Sequence, residues 1–234
     1  LGLSPSLADF ARVVQFPKPV LVGLVCQILL LPVVCFFIAK GFGLAPALAV
    51  GLMLLAASPG GTSANLYSHL TRGDVALNIS LTAINSLVAL ITIPLWIALA
   101  MQAFLGSEGT VPPPTRKVVE VAVFVIVPVL IGMSVRHWRP TWAAVAERPV
   151  RVMSTLIIAG LVVLIVASEW SLVLQYAPVV GLACLIFNLF SLGGGFGVAK
   201  AARLPRPQAI AISYEIGIHN STLSMFIALQ VLSM

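Results

Sequence analysis

The sequence predicts an all-α polytopic membrane protein, and three observations lead there. The first is composition: 60% of the 234 residues are hydrophobic and 9% are charged. Soluble domains carry roughly 25% charged residues, so the solvent for this chain is largely lipid. The second is segmentation, with apolar runs at 19–39, 44–70, 75–101, 116–135, 152–170, 178–199 and 208–232. A bilayer core takes ~20 residues of helix, and alternating ten-residue strands are absent, which excludes a barrel. The third is charge placement. If each run spans, ten basic residues share one side with Arg72, Arg139 and Lys200, and only Lys40, Arg116 and Lys117 face the other. The positive-inside rule puts the larger group in the cytoplasm. The net charge of +6 forms no basic stripe with interleaved aromatics, so no nucleic-acid partner is expected.

Each element has its own warrant. Residues 1–18 mix Asp9, Arg12, Pro17 and Lys18 and read as a cytoplasmic connector. Segment 19–39 holds a lone amide, Gln27. Segment 44–70 must break at Pro59-Gly60-Gly61, because proline lacks an N–H and adjacent glycines weaken a helix further. Segment 75–101 carries Asn78, Ser80, Thr82, Asn85, Ser86 and Thr92, with Asn78 and Thr82 on one face. The stretch 106–115, Gly-Ser-Glu-Gly-Thr-Val-Pro-Pro-Pro-Thr, is an extracytoplasmic linker. Two spans follow it, and segment 178–199 then brings Asn188. Segment 208–232 is interrupted at Tyr214-Glu215-Ile216-Gly217-Ile218-His219-Asn220. Cys26, Cys35 and Cys184 fall in apolar runs and read as small core residues. Trp96, Trp138, Trp142 and Trp170 read as interfacial aromatics, and His69 and His137 as structural.

Segments one and two resemble segments six and seven. Gln27 and Asn188 each precede a lysine, Lys40 or Lys200, then a proline, Pro46 or Pro207, then an interrupted helix. The pairs are five spans apart, so they cross in opposite senses. Such an inverted repeat with discontinuous helices is the pattern of a secondary transporter with its site near the midplane. A five-helix unit would place two further helices upstream and one downstream.

Glu215 is the one acid deep inside an apolar segment, and a carboxylate there is usually kept for an ion, a proton or a substrate. His219 lies four residues on, as an ion-site neighbour, a proton acceptor, a hydrogen-bond donor to substrate or a packed core histidine. The amides and hydroxyls of segment 75–101 serve equally as oxygen donors to a hard cation or as interhelical hydrogen bonds. The chain has no His-Glu-x-x-His, Gly-x-Ser-x-Gly or Walker signature, and a single buried carboxylate makes no acid pair, so an enzyme is not expected.

At the two breaks the sequence resembles the bile acid:sodium symporter family. The residues that carry this are Pro59-Gly60-Gly61-Thr62-Ser63-Ala64-Asn65, Leu70-Thr71-Arg72-Gly73-Asp74-Val75-Ala76-Leu77 with Thr82, and Glu215-Ile216-Gly217-Ile218-His219-Asn220-Ser221. Gln27 with Pro32, Pro94-Leu95 and Phe16-Pro17-Lys18-Pro19 extend it across nearly the whole chain. The resemblance implies a core domain and a panel domain, with two broken helices crossing in the core. Residues 19–105 would be first-repeat helices, 116–170 panel-type helices and 171–234 second-repeat core helices. It also implies two sodium sites. One would use Asn65, Asn78, Thr82 and Glu215. The other would use Gln27, Glu215, the carbonyls of Ile216 and Ile218, and His219. Thr62 and Asn220 match positions that face a small organic anion. The implied activity is sodium-coupled import of that anion by alternating access, in the cell inner membrane. The chain departs from the family at Ala64 and Asn78, where serine is usual, and at His219, where glutamine is. A proton-coupled carrier using Glu215 and His219, an arsenite-type oxyanion exporter and a non-transporting bundle are the alternatives.

Overall fold

The computed structural model describes residues 16–106 and 139–229, together with scattered positions between 119 and 138. The linker 107–115 and most of segment 116–135 lie outside the described residues. Among the described residues three helices are long and apolar enough to cross a membrane: Pro17–Gly41, Val75–Phe104 and Trp170–Ala201.

Helix α1, Pro17–Gly41, starts on Pro17, so Pro17 and Lys18 form its first turn and not the end of a connector. Proline is favoured there because the first N–H groups of a helix have no intrahelical partner anyway. Its middle widens into a π-helical turn over Cys26–Leu30, where the Leu31 N–H reaches back to the Cys26 carbonyl. Pro32 explains the widening. It has no N–H for the Ile28 carbonyl, and its ring crowds that turn. The freed Ile28 carbonyl instead accepts from the Trp96 indole at 2.9 Å. Trp96 is therefore a half-buried tie between helices, not an interfacial aromatic as the sequence suggested. Trp138, Trp142 and Trp170 are exposed.

The chain turns at Gly43 (φ 58°), where the Gly43 and Leu44 N–H groups bond the carbonyls of Lys40 and Ala39. Helix α2, Pro46–Ala57, then runs to the first break. Pro59 cannot donate to Leu55, and the Ser58 hydroxyl takes that carbonyl at 2.7 Å while Ser58 turns extended. Helix α3, Thr62–Leu70, resumes beyond Gly61. Asp74 caps α4, Val75–Phe104, by accepting from the Leu77 N–H.

Helix α5, Pro140–Ser168, begins before the expected limit of 152, because its charged first turns continue past the apolar stretch. Glu169 alone separates it from α6, Trp170–Ala201, so Trp170 opens α6 and Pro178 lies inside that helix. Proline is tolerated within spanning helices when neighbours satisfy the freed backbone. A turn at Arg203 (φ 59°) follows, with Arg203 and Leu204 bonding the carbonyls of Lys200 and Ala199. Helix α7, Arg206–Gly217, leads to the second break, and α8, Ser221–Ile227, resumes after it.

The core lies where α1, α2, α4, α6 and α7 meet. Leu31, Met53, Leu54, Ile93, Phe187 and Ile216 fill one apolar cluster, and Val20, Leu77, Leu81 and Ile212 a second. Helix α7 packs most extensively on α6, where Gly195 admits Ile216 and Gly217 lies under Leu192. Small residues at such crossings let helix backbones approach closely.

Candidate functional site

The two breaks lie against one another. The Gly61 N–H donates to the Ile218 carbonyl at 2.6 Å, and the Asn220 N–H donates to the Pro59 carbonyl at 2.9 Å. Gly60 and His219 face each other across this short antiparallel pair. Backbone that leaves a helix at membrane depth needs such partners, since lipid offers none. Two side-chain amides complete the support. Gln27, in the π turn of α1, donates to the carbonyls of Ser58 and Ala56 at 2.9 and 3.1 Å. Asn188, on α6, donates to the Gly217 carbonyl at 2.8 Å.

Glu215 lies in the last turn of α7 and is fully buried, at 0% exposure. The Thr82 hydroxyl donates to Oε2 at 2.6 Å and the Asn85 amide to Oε1 at 2.9 Å. Gly60 presses on the same carboxylate from the first break. Asn78 anchors α4 to α7 one turn earlier, through its amide and the Ala211 carbonyl at 2.9 Å. Asn78, Thr82 and Asn85 recur at i, i+4 and i+7, one face of α4 turned to α7.

The polar atoms left over point to a cation. Oε1 of Gln27 and Oδ1 of Asn65, Asn78 and Asn85 are buried and without a hydrogen-bond partner. Leaving one buried acceptor unpaired costs about 1–3 kcal/mol. In Gln27, Asn78 and Asn85 the amide nitrogen is fixed to a neighbour, which leaves the oxygen as the free end. Neutral oxygens beside one carboxylate are the donor set of a hard monovalent or divalent cation. No group of three or more His, Cys, Asp and Glu side chains with metal-binding geometry occurs among the described residues.

The other expected site residues are placed as follows. Ile216 is buried in the last turn of α7, where backbone carbonyls run out of intrahelical donors. The Ile218 carbonyl is engaged by Gly61, and Gly217 ends α7, with the break itself at Ile218–Asn220. His219 stacks on Phe187, ring centroids 5.0 Å apart, and both its nitrogens are buried without a partner. Asn220 caps α8 through its side-chain oxygen, accepting from the Leu223 N–H at 3.1 Å. Thr62 opens α3, and its side chain lies outside the described residues. Ala64 is fully buried, and Pro59 supplies the carbonyl that Asn220 holds. Asn85 joins the expected residues. Its position one turn after Thr82 was the available signal. Beside the breaks, a cavity of about 560 Å³ is lined by Tyr67, Asn188, Tyr214, His219 and Ser221 among others.

These features define a helical protein with membrane-spanning apolar helices and a buried carboxylate held between two helix breaks. Comparison with known proteins gives the family: the chain matches the sodium bile acid symporter family over residues 1–176 and belongs to it. It is similar to the bovine P3 protein, 32% identical over 225 residues, which are 96% of this chain and 47% of that protein. It is similar to a protein of Bacillus subtilis (strain 168) named uncharacterized sodium-dependent transporter YocS, 28% identical over 228 residues, 97% of this chain and 70% of that protein. It is similar also to the human ileal sodium/bile acid cotransporter, 26% identical over 226 residues, 95% of this chain and 64% of that protein. The chain thus spans about half the length of the P3 protein and about two thirds of the other two.

Proposed function

We propose that this chain carries the ion-binding core of a sodium-coupled symporter that imports an organic anion by alternating access. One observation supports the reading: Glu215 is a fully buried carboxylate held by Thr82 and Asn85 between the two breaks, and the amide oxygens of Gln27, Asn65, Asn78 and Asn85 are buried without a hydrogen-bond partner. Glu215, Asn65, Asn78 and Thr82 form the first sodium site. Gln27, Glu215, the carbonyls of Ile216 and Ile218, and His219 form the second. Sodium at these sites draws the two breaks together, and the anion binds beside them against Thr62 and Asn220. Asn220 spends its oxygen on the helix cap, which leaves its amide hydrogens for an anion. The family and its relatives' names support the sodium coupling.

The two halves of the core are inverted repeats in this reading. The turns at Gly43 and Arg203 share one hydrogen-bond pattern and one sign of φ. Each leads into a half-helix of 12 residues. Gln27 and Asn188 each brace the carbonyls of the break in their own half. Residues 19–105 and 171–234 are the core halves, and 116–170 belong to the panel. The basic-rich loops face the cytoplasm of a cell inner membrane, with residues 1–16 as connector and 106–115 as the outer linker.

The test compares the thermal stability of the full chain in NaCl and in equimolar choline chloride, with Glu215→Gln alongside. Sodium at a hundredfold over its dissociation constant stabilises by about 2.7 kcal/mol. A sodium-specific rise that the variant lacks supports the site. Equal stability in the two salts refutes it.

A further inference from the structure

Asn85 lies outside the two proposed sodium sites, yet it makes the most direct amide contact with the carboxylate at their centre. Its Nδ2 is 2.9 Å from Oε1 of Glu215, the residue is 3% exposed, and its Oδ1 is buried with no partner. The amide is thus half satisfied. A purely structural tie would place both ends, since a buried acceptor without a partner is costly. The contact itself fixes the orientation, because only the nitrogen end can hydrogen-bond a carboxylate.

We propose that Asn85 is an exchangeable ligand: its N–H stands in for the cation when the site is ion-free, and its Oδ1 coordinates sodium when the ion is bound. The proposal rests on the reading of Glu215 as a sodium residue. An N–H aimed at Oε1 and a cation approaching Oε1 compete for the same lone pairs. A half-turn about the Cβ–Cγ bond of Asn85 removes the competing donor and brings Oδ1 to where Nδ2 stood. This torsion is soft and broadly two-fold, so the exchange needs no backbone movement. The ion gains one more neutral oxygen, the kind of ligand hard cations prefer. Thr82 cannot do this alone. Its hydroxyl lies 2.6 Å from Oε2, the other carboxylate oxygen, and 3.0 Å from the Asn78 carbonyl. Asn85 therefore sets both the stability of the ion-free state and the strength of sodium binding.

The two roles separate in a pair of variants. Asn85→Leu removes donor and acceptor, and Asn85→Asp keeps an oxygen but turns a donor into a second carboxylate. Melting of the full chain is followed against NaCl at constant ionic strength, balanced with choline chloride. Asn85→Leu is expected to raise the half-saturating sodium concentration at least fivefold. Asn85→Asp is expected to melt lower in choline chloride and to show a larger sodium increment than the unchanged chain. A plain structural tie would lower melting equally in both salts and leave the increment and half-saturation unchanged in both variants, which overturns the proposal. If Asn85→Leu does not fold, Asn85→Asp decides alone by the size of its increment. If the unchanged chain shows no sodium response, the reading of Glu215 fails first and this proposal falls with it.

Discussion

The backbone of Gly60 lies against the Glu215 carboxylate so closely that a Cβ at residue 60 would sit 2.5 Å from Cδ and 2.6 Å from the Glu215 carbonyl oxygen. The break in one helix is therefore fitted to the charge on the other. The second distance matters as much as the first. A side chain can swing aside, but a backbone carbonyl in a packed helix cannot.

Gly60→Ala is thus expected to push the two breaks apart and remove sodium-dependent stabilisation. Overpacking of this kind costs about 1–3 kcal/mol. Gly61→Ala, whose Cβ would meet the His219 carbonyl at 3.3 Å, is expected to cost less. Gly51→Ala meets nothing within 4 Å and is expected to be neutral. Melting of the three variants in NaCl and choline chloride gives the order. Equal loss at all three positions would refute the close fit.

Trp96 and Pro32 are coupled through the Ile28 carbonyl, which the proline frees and to which the indole N–H donates. Trp96→Phe is expected to destabilise by about 1 kcal/mol, the cost of a partly buried carbonyl left unpaired. Pro32→Ala restores an N–H for Ile28, so the loss on Trp96→Phe should shrink in that background. A double-mutant cycle of melting free energies measures the coupling. Additive effects would mean that the carbonyl is satisfied in some other way.

The sequence carried much of this arrangement because proline, glycine and a lone carboxylate declare themselves without neighbours. Pro59-Gly60-Gly61 marked the first break, and Glu215 marked the second by the cost of its charge. What stayed hidden depended on partners distant in the chain. Trp96 looked interfacial because nothing local reveals that Pro32, on another helix, has freed a carbonyl for it. Asn85 was one of six polar residues on its segment, and only the packing of α4 on α7 singles it out. The start of α5 was misjudged because hydropathy reports the stretch that faces lipid, whereas the helix continues into charged residues beyond it.

Arg203 occupies a left-handed turn like the one at Gly43, with φ 59° against 58°. That conformation costs a residue with a Cβ roughly 1–2 kcal/mol, partly offset by the greater freedom of glycine in the unfolded chain. Arg203→Gly is therefore expected to stabilise by about 0.5 kcal/mol, and Gly43→Ala to destabilise by about 1 kcal/mol. Thermal melts in choline chloride check both, since neither residue belongs to the proposed ion sites. A loss of stability in Arg203→Gly would mean that the arginine side chain contributes more than its strain.

His219 gives the sharpest test of the proposed second sodium site. Its ring stacks on Phe187 and neither nitrogen has a partner, so the imidazole is held by packing and offers only nitrogen donors. Sodium prefers oxygen, and a nitrogen ligand there weakens the second site relative to the first. Glutamine has similar reach and presents an amide oxygen. His219→Gln is accordingly expected to steepen the sodium dependence of melting and to enlarge the total shift at saturating sodium. Phe187→Leu serves as the packing control, expected to lower stability equally in NaCl and choline chloride. An unchanged slope in His219→Gln would show that residue 219 is not a ligand in either form. The Glu215 carboxylate would then serve one ion, and the stack on Phe187 would be the whole role of His219.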